Sequence, residues 1–240
     1  MTSALSKTWW IARRELGAYF LSPLAYVVTA VFLLINGYIF AAMLLTSRYA
    51  DLRLVLANMA VTLIFIVPVL TMRVLAEERR QGTDELLLTS PLTVAQIVIG
   101  KYLAALVLYA LILALTGIYP LILWKYGHPE FMPMLTGYLG VLLLGAAFLA
   151  VGVFASSLSD SQVVAGVVGF GLLLTLWIID WAADGLQGTA AKVLRQLSVL
   201  RHLGDFQKGV IDSGHVLFYL SLGFVFLFLA VRMVEKRRWS

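Results

Sequence analysis

Long apolar runs dominate the chain, and six of them reach the length of about 20 residues that a helix needs to cross a bilayer core. They lie near residues 23–45, 55–75, 97–124, 134–156, 162–183 and 212–232. Each reads as an α-helix, because a segment in lipid must satisfy its backbone hydrogen bonds internally. The third run is long enough to tilt or protrude. Pro68 and Pro120 remove backbone donors within or near the ends of the second and third runs, which predicts kinks or early helix ends there. Gly137, Gly140, Gly145, Ala146 and Ala150 in the fourth run, with Ala165 and Gly169 in the fifth, supply small faces on which helices approach closely.

Three less apolar segments interrupt this pattern. In residues 1–22, Leu5, Trp9, Ala12, Leu16, Tyr19 and Phe20 share one face of a helical wheel while Lys7, Arg14 and Glu15 point elsewhere, which predicts an amphipathic helix in the membrane interface. An early start of the first span is the competing reading. This stretch lacks the apolar core and cleavage site of a signal peptide and is expected to remain in the mature chain. In residues 186–211, Ala190, Val193, Leu194, Leu197 and Leu200 recur at helical spacing, which predicts short amphipathic helices at the membrane surface.

The third interruption, residues 77–93, reads EERRQGTDELLLTSPLT. The second span is expected to carry its helix past Arg73, whose side chain snorkels to the interface, until Gly82 offers a left-handed cap. Thr83 then caps a new helix, with Asp84 and Glu85 in its first turn, where carboxylates favour the positive end of the helix dipole. Leu86, Leu87 and Leu88 follow as an apolar patch, and Ser90-Pro91 ends the helix. Thr93 and Gln96 have the spacing of a capping box that opens the third span. The local signals thus describe a short, rigid, charged element that projects leucines. Two explanations fit an apolar patch rimmed by charge: a partner surface, or an interfacial helix seated in lipid headgroups.

Composition confirms the class. Of 240 residues, 61% are hydrophobic and 13% charged, and the mean hydropathy is +0.93, too apolar for a soluble domain to cover its own core. The expected fold is an all-α integral membrane protein, a single domain over 1–240, with six transmembrane helices, an N-terminal interfacial helix and a cytoplasmic helix within 77–93. The net charge of +5 reflects bases clustered beside spans, so it speaks for membrane orientation and membrane lipids rather than nucleic acid. With the N-terminus inside, Lys7, Arg13, Arg14, Arg73, Arg79, Arg80, Lys101, Arg232, Lys236, Arg237 and Arg238 collect on the inner face, which predicts both termini cytoplasmic.

Catalytic chemistry finds little footing. The chain has no cysteine, which excludes disulfides, thiolate metal sites and cysteine nucleophiles. No GxxxxGK[ST] phosphate cradle, HExxH or GxSxG occurs, so neither catalytic nor metal-binding residues are assigned. His128, His202 and His215 read as ordinary loop histidines on the outer side. Asp180, beside Trp181 at a span end, reads as interfacial, and Asn36 in mid-span as packing glue between helices.

Segments along nearly the whole chain carry a resemblance: RRELGAYFLSPLAYV at 13–27, FIVPVLTMRVLAEERRQGTDELLLTSPLT at 65–93, IGKYLAAL at 99–106, SSLSDSQ at 156–162 and FQKGVIDSGHVLFYLSL at 206–222. This set resembles the permeases of ABC-2 type transporters, which carry an EER-x-x-GT-x-ELLLT-x-P run between their second and third spans. It is most similar to the gliding-motility-associated (GldF-type) permeases and also similar to the NosY-type permeases. Family members often carry Asn where this chain has Ser161; Asp160 remains available there as a cap.

The resemblance implies that Glu77, Glu78, Arg79, Gly82, Thr83, Asp84, Glu85, Leu86, Leu87, Leu88 and Pro91 couple the chain to an ATPase subunit. It implies a multi-pass protein of a bacterial or archaeal cytoplasmic membrane, without a cofactor of its own. ATP and Mg would be bound by the nucleotide-binding subunit, beside a second permease copy, as a homodimer, or a related permease. An auxiliary membrane protein with an extracytoplasmic domain is a further implied partner. The expected function is a permease subunit that couples ATP hydrolysis to export or movement of a substrate. The alternatives are a subunit that transmits mechanical work to an extracytoplasmic assembly and, with little residue-level support, an intramembrane enzyme.

Overall fold

The computed structural model describes residues 4–46, 51–80, 82, 92–127, 129–185 and 196–238. Its elements are helices: α1 (Ala4–Leu21), α2 (Pro23–Thr46), α3 (Arg53–Thr71), α4 (Ala76–Arg80), α5 (Val94–Leu115), α6 (Ile118–Tyr126), α7 (Phe131–Leu158), α8 (Gln162–Gly185), α9 (Val199–Gln207) and α10 (Ser213–Arg238). Six stretches are long and apolar enough to cross a membrane: Pro23–Thr46, Arg53–Arg80, Val94–Tyr126, Phe131–Leu158, Gln162–Ile179 and Ser213–Lys236. The protein is an all-helical integral membrane protein.

The spans are not equivalent. In their most apolar stretches Arg53–Arg80 and Phe131–Leu158 are 67% and 72% buried, whereas Gln162–Ile179 and Ser213–Lys236 are 17% buried. The second and fourth spans therefore form the centre, and the fifth and sixth turn most of their apolar surface outward, as expected where lipid is the solvent. Small residues let α7 take the central place. A Cβ at Gly145 would collide with the Tyr109 ring, and one at Gly152 with Thr71.

Tyrosine hydroxyls stitch the helices together. Tyr109 donates to the Val141 carbonyl at 2.6 Å, Tyr102 to Ala146 at 3.1 Å, and Tyr119 to Leu33 at 3.3 Å. A carbonyl inside a helix keeps a second lone pair after its own helical bond, so it can accept such a donor without breaking the helix. Each bond between helices in a membrane contributes about 0.6 to 2 kcal/mol.

Two spans are broken where proline or a polar turn intervenes. The third stops at Thr116–Gly117, between α5 and α6. Pro120 cannot donate to the Thr116 carbonyl four residues back, and that carbonyl accepts instead from the Tyr119 amide and the Tyr138 hydroxyl, each at 2.9 Å. The second span leaves regular helix after Thr71 and turns through 72–75 before α4.

Helix α1 is separate from α2, with a bend at Ser22 before Pro23. Its buried side differs in part from the face expected of it. Ala12 is buried, and Ile11 lies against Gly100, where a Cβ would fall 2.8 Å from the Ile11 Cβ. Trp9, Trp10 and Phe20 are exposed. Neighbouring α5, not the helical wheel alone, decides which side turns inward.

Residues 186–195 lie outside the described residues, and α9 is an amphipathic helix that packs its apolar side onto the bundle. Val199, Leu203 and Phe206 are buried, and Gly140 of α7 leaves room for Phe206, whose Cβ would stand 2.8 Å from a Cβ there. Ser198 caps α9 by accepting from the Arg201 amide at 3.3 Å. Tyr219 of α10 donates to the Val199 carbonyl at 2.7 Å, and Thr136 to the Phe206 carbonyl at 2.5 Å.

His202 and His215 lie in helices, not loops, with ring centroids 4.7 Å apart. Asn36 is fully buried in α2 and donates to its own helix, at the Phe32 carbonyl. His128 and the side chain of Asp180 lie outside the described residues.

Candidate functional site

Spans of alternating direction bring α1, the 72–80 segment, the start of α5 and the α7–α8 turn to one end of the bundle. The start of α5 is set locally. Gln96 donates its amide to the Thr93 hydroxyl at 3.3 Å, and the Gln96 side chain accepts from the Thr93 amide at 3.0 Å, the reciprocal capping box expected from the sequence. Lys101 follows about 12 Å further along the helix axis.

Lys101 is the hub of this end. It is 3% exposed, and its Nζ lies 2.8 Å from Glu78 Oε1 and 3.1 Å from Glu15 Oε1. Arg14 Nη2 completes the cluster, 3.2 Å from Glu15 and 3.5 Å from Glu78. Two cations face two carboxylates, so the local charge is balanced. A buried ammonium without such partners would be strongly destabilising. Gly100 makes the cluster possible, because its missing side chain lets the α1 backbone at Thr8 approach α5.

The same segment is tied to the α7–α8 turn. The Ser156 hydroxyl accepts from the Leu75 and Ala76 amides at 3.0 and 3.2 Å and donates to the Met72 carbonyl at 3.3 Å. It therefore serves backbone groups freed where α3 stops, which would otherwise be buried without partners. Arg79 Nη1 donates to the Ser157 carbonyl at 2.6 Å and lies 3.8 Å from Asp160, with its side chain 8% exposed. Gln162 donates to Glu77 at 2.7 Å, and Arg73 lies 3.7 Å from the same carboxylate. A cleft of about 240 Å³, lined by Glu15, Ser22, Arg73, Glu77, Glu78 and Lys101 among others, lies between α1 and the 73–78 segment.

The described sequence-derived residues thus point inward. Glu77 meets the α7–α8 turn, Glu78 meets α5 and α1, and Arg79 meets the end of α7. Gly82 adopts φ +67°, a left-handed conformation that favours glycine, and its amide donates to the Arg79 carbonyl at 3.1 Å. Thr83, Asp84, Glu85, Leu86, Leu87, Leu88 and Pro91 lie outside the described residues.

Sequence reasoning did not single out Glu15, Lys101, Ser156 or Gln162 as site residues. One signal was present: Lys101 stands inside a strongly apolar run, where an ionisable residue demands a partner. Which carboxylates meet it depends on helix packing.

The sequence profile of a family described as ABC-2 family transporter protein matches residues 45–183. That range contains the 72–80 segment, the α5 start and the α7–α8 turn, but not α1, which supplies Arg14 and Glu15. The chain is also 28% identical over 149 residues to "Probable multidrug ABC transporter permease YbhR" of Escherichia coli (strain K12) and to the protein of that name in Escherichia coli O157:H7. Each match covers 60% of this chain and 39% of the relative, so the chain matches well under half the length of these curated relatives.

Proposed function

This chain belongs to the ABC-2 family of transporter proteins, and we propose from that membership that it is a membrane-spanning permease subunit driven by an ABC ATPase bound at residues 77–93. The observation that carries the reading is the attachment of Glu77, Glu78 and Arg79 to three separate parts of the bundle. A displacement of this segment acts on α1 and α5 through Lys101 and on α7 and α8 through Ser157, Asp160 and Gln162. In this reading Arg79 transmits force within the chain, while Asp84, Glu85 and the leucines of 86–88 meet the ATPase.

The output is export or movement of a substrate by two permease copies, or by this chain with a related permease. The likeness to GldF-type and NosY-type permeases belongs to the same proposal. It also frames the competing output, mechanical work on an extracytoplasmic assembly, which substrate-stimulated flux in reconstituted vesicles would overturn. The coupling assignment is tested by co-expressing the chain with its ABC ATPase. Glu85→Lys is expected to abolish co-purification while leaving membrane insertion intact. Arg79→Ala is expected to retain the ATPase but to lower the ATP turnover of the complex. Wild-type recovery of ATPase with Glu85→Lys would overturn the assignment.

A further inference from the structure

The exposed side of α1 carries a second feature. Trp10, Arg13, Arg14, Gly17 and Leu21 follow one another along α1, and Leu92 closes the far side of a groove of about 780 Å³. That volume lies in the range of small-ligand sites. Its apolar walls are exposed, with Trp10 at 64% and Leu21 at 88%, and a Cβ at Gly17 would meet nothing within 4 Å.

Among the described lining residues the charged side chains are two arginines, Arg13 and Arg14. Arg14 is engaged with Glu15 and Glu78. Arg13 is exposed and lies 6.0 Å from the centre of the Trp10 ring, a cation–π contact that holds the guanidinium over the groove. A carboxylate partner for Arg13 is absent among the described ion pairs.

We propose that this groove binds an anionic glycerophospholipid of the leaflet that contacts α1, with the phosphate on Arg13 and an acyl chain along Gly17 and Leu21. Charge complementarity selects this occupant. A zwitterionic headgroup brings no net charge to Arg13, whereas an anionic headgroup gains a charge-assisted hydrogen bond from it. Trp10 has the amphipathic ring found at the headgroup level of membrane proteins. A lipid so held fixes α1 at the bilayer surface while the opposite side of α1 supplies Glu15 to the Lys101 cluster.

The chain has no native cysteine, so Gly17→Cys provides a single reporter without steric conflict. The full-length Gly17→Cys chain is placed in phosphatidylcholine nanodiscs with and without phosphatidylglycerol, and the rate of maleimide labelling is measured. Phosphatidylglycerol is expected to slow labelling, and adding Arg13→Gln is expected to weaken this protection about fivefold, the equivalent of roughly 1 kcal/mol for one basic residue at an anionic surface. Gly17→Leu, which fills the groove, is expected to lower the phosphatidylglycerol retained per purified chain while thermal unfolding is unchanged. Inorganic phosphate is expected to give no protection. Labelling that is insensitive to phosphatidylglycerol would overturn the proposal, as would protection that survives Arg13→Gln or that appears only when an ATPase subunit is added.

Discussion

The two ends of the bundle are closed by different chemistry. At one end Lys101, Glu15, Glu78 and Arg14 form a buried, charge-balanced cluster, with Arg79 and Glu77 reaching the α7–α8 turn. At the other, α9 is held by buried Val199, Leu203 and Phe206 and by hydroxyl donors from Thr136 and Tyr219 to carbonyls. A hydrogen-bond contact between His215 Nε2 and Asp205 Oδ2, at 2.9 Å, also joins α9 to α10. Neutral packing holds one geometry, because moving a close-packed side chain opens a void. Ion pairs around long side chains can exchange partners across a cleft. In the proposed coupling role the charged end is the one that moves, and the α9 end stays in place.

The sharpest way to break the comparison is to remove its hub. Lys101→Ala leaves Glu15 and Glu78 mostly buried without their ammonium partner, and a loss of about 3 to 5 kcal/mol is expected, read as a fall in unfolding temperature in detergent. Restoring neutrality with Lys101→Met and Glu78→Gln together, which leaves Arg14 paired with Glu15, is expected to return most of that stability while ATP turnover in the complex stays low. Stability and coupling would then be separated.

At the α9 end the corresponding change is steric. Gly140→Leu drives a side chain into Phe206, and a loss of about 1 to 3 kcal/mol is expected from overpacking. Hydrogen exchange should rise in 199–207 before it rises in α1 or α5. Tyr219→Phe removes the hydroxyl donor to Val199 and is expected to cost about 1 kcal/mol, with faster exchange confined to α9 and the start of α10.

The smallest expected effect is a pH response. Burial and the neighbouring His215 hold His202 below its ordinary value of 6.5. Hydrogen bonds from Lys208 and His215 hold Asp205 below its ordinary 3.8. A histidine depressed in the fold binds fewer protons there than in the unfolded chain, so stability falls as pH drops through 6.5. The Asp205 contribution is present above 3.8 and is lost below it. Hydrogen exchange of α9 should therefore rise on acidification below 6.5, and His202→Phe should flatten that part of the profile. An unchanged profile would remove His202 from the account.

Much of this architecture was legible in the linear pattern. Runs of about 20 apolar residues leave few structures other than membrane helices, so the count of six spans followed from composition and length. The Thr93–Gln96 box, the turn at Gly82 and an interruption near Pro120 are also local, decided by caps, by a left-handed position and by a missing donor. The site was legible only in part. Glu77, Glu78 and Arg79 stood out as charges between spans, but their partners lie in α1, α5 and the α7–α8 turn. Similarly, the helical spacing in 186–211 indicated an amphipathic helix, while the glycine at position 140 that lets Phe206 enter the bundle lies on another span.

The sequence by itself determined that the chain crosses the membrane, that a capping box opens the third span, and that a charged element breaks the second and third spans apart. Those outcomes depend on hydrogen bonds and transfer energies that act within a few turns of helix. Only the tertiary structure decided that Lys101 is neutralised by Glu15 and Glu78, that Arg79 faces inward and that α9 caps the far end. These pairings join residues such as Glu77 and Gln162, 85 positions apart, and their energies depend on which helix faces meet, a choice made by the packing of the whole bundle.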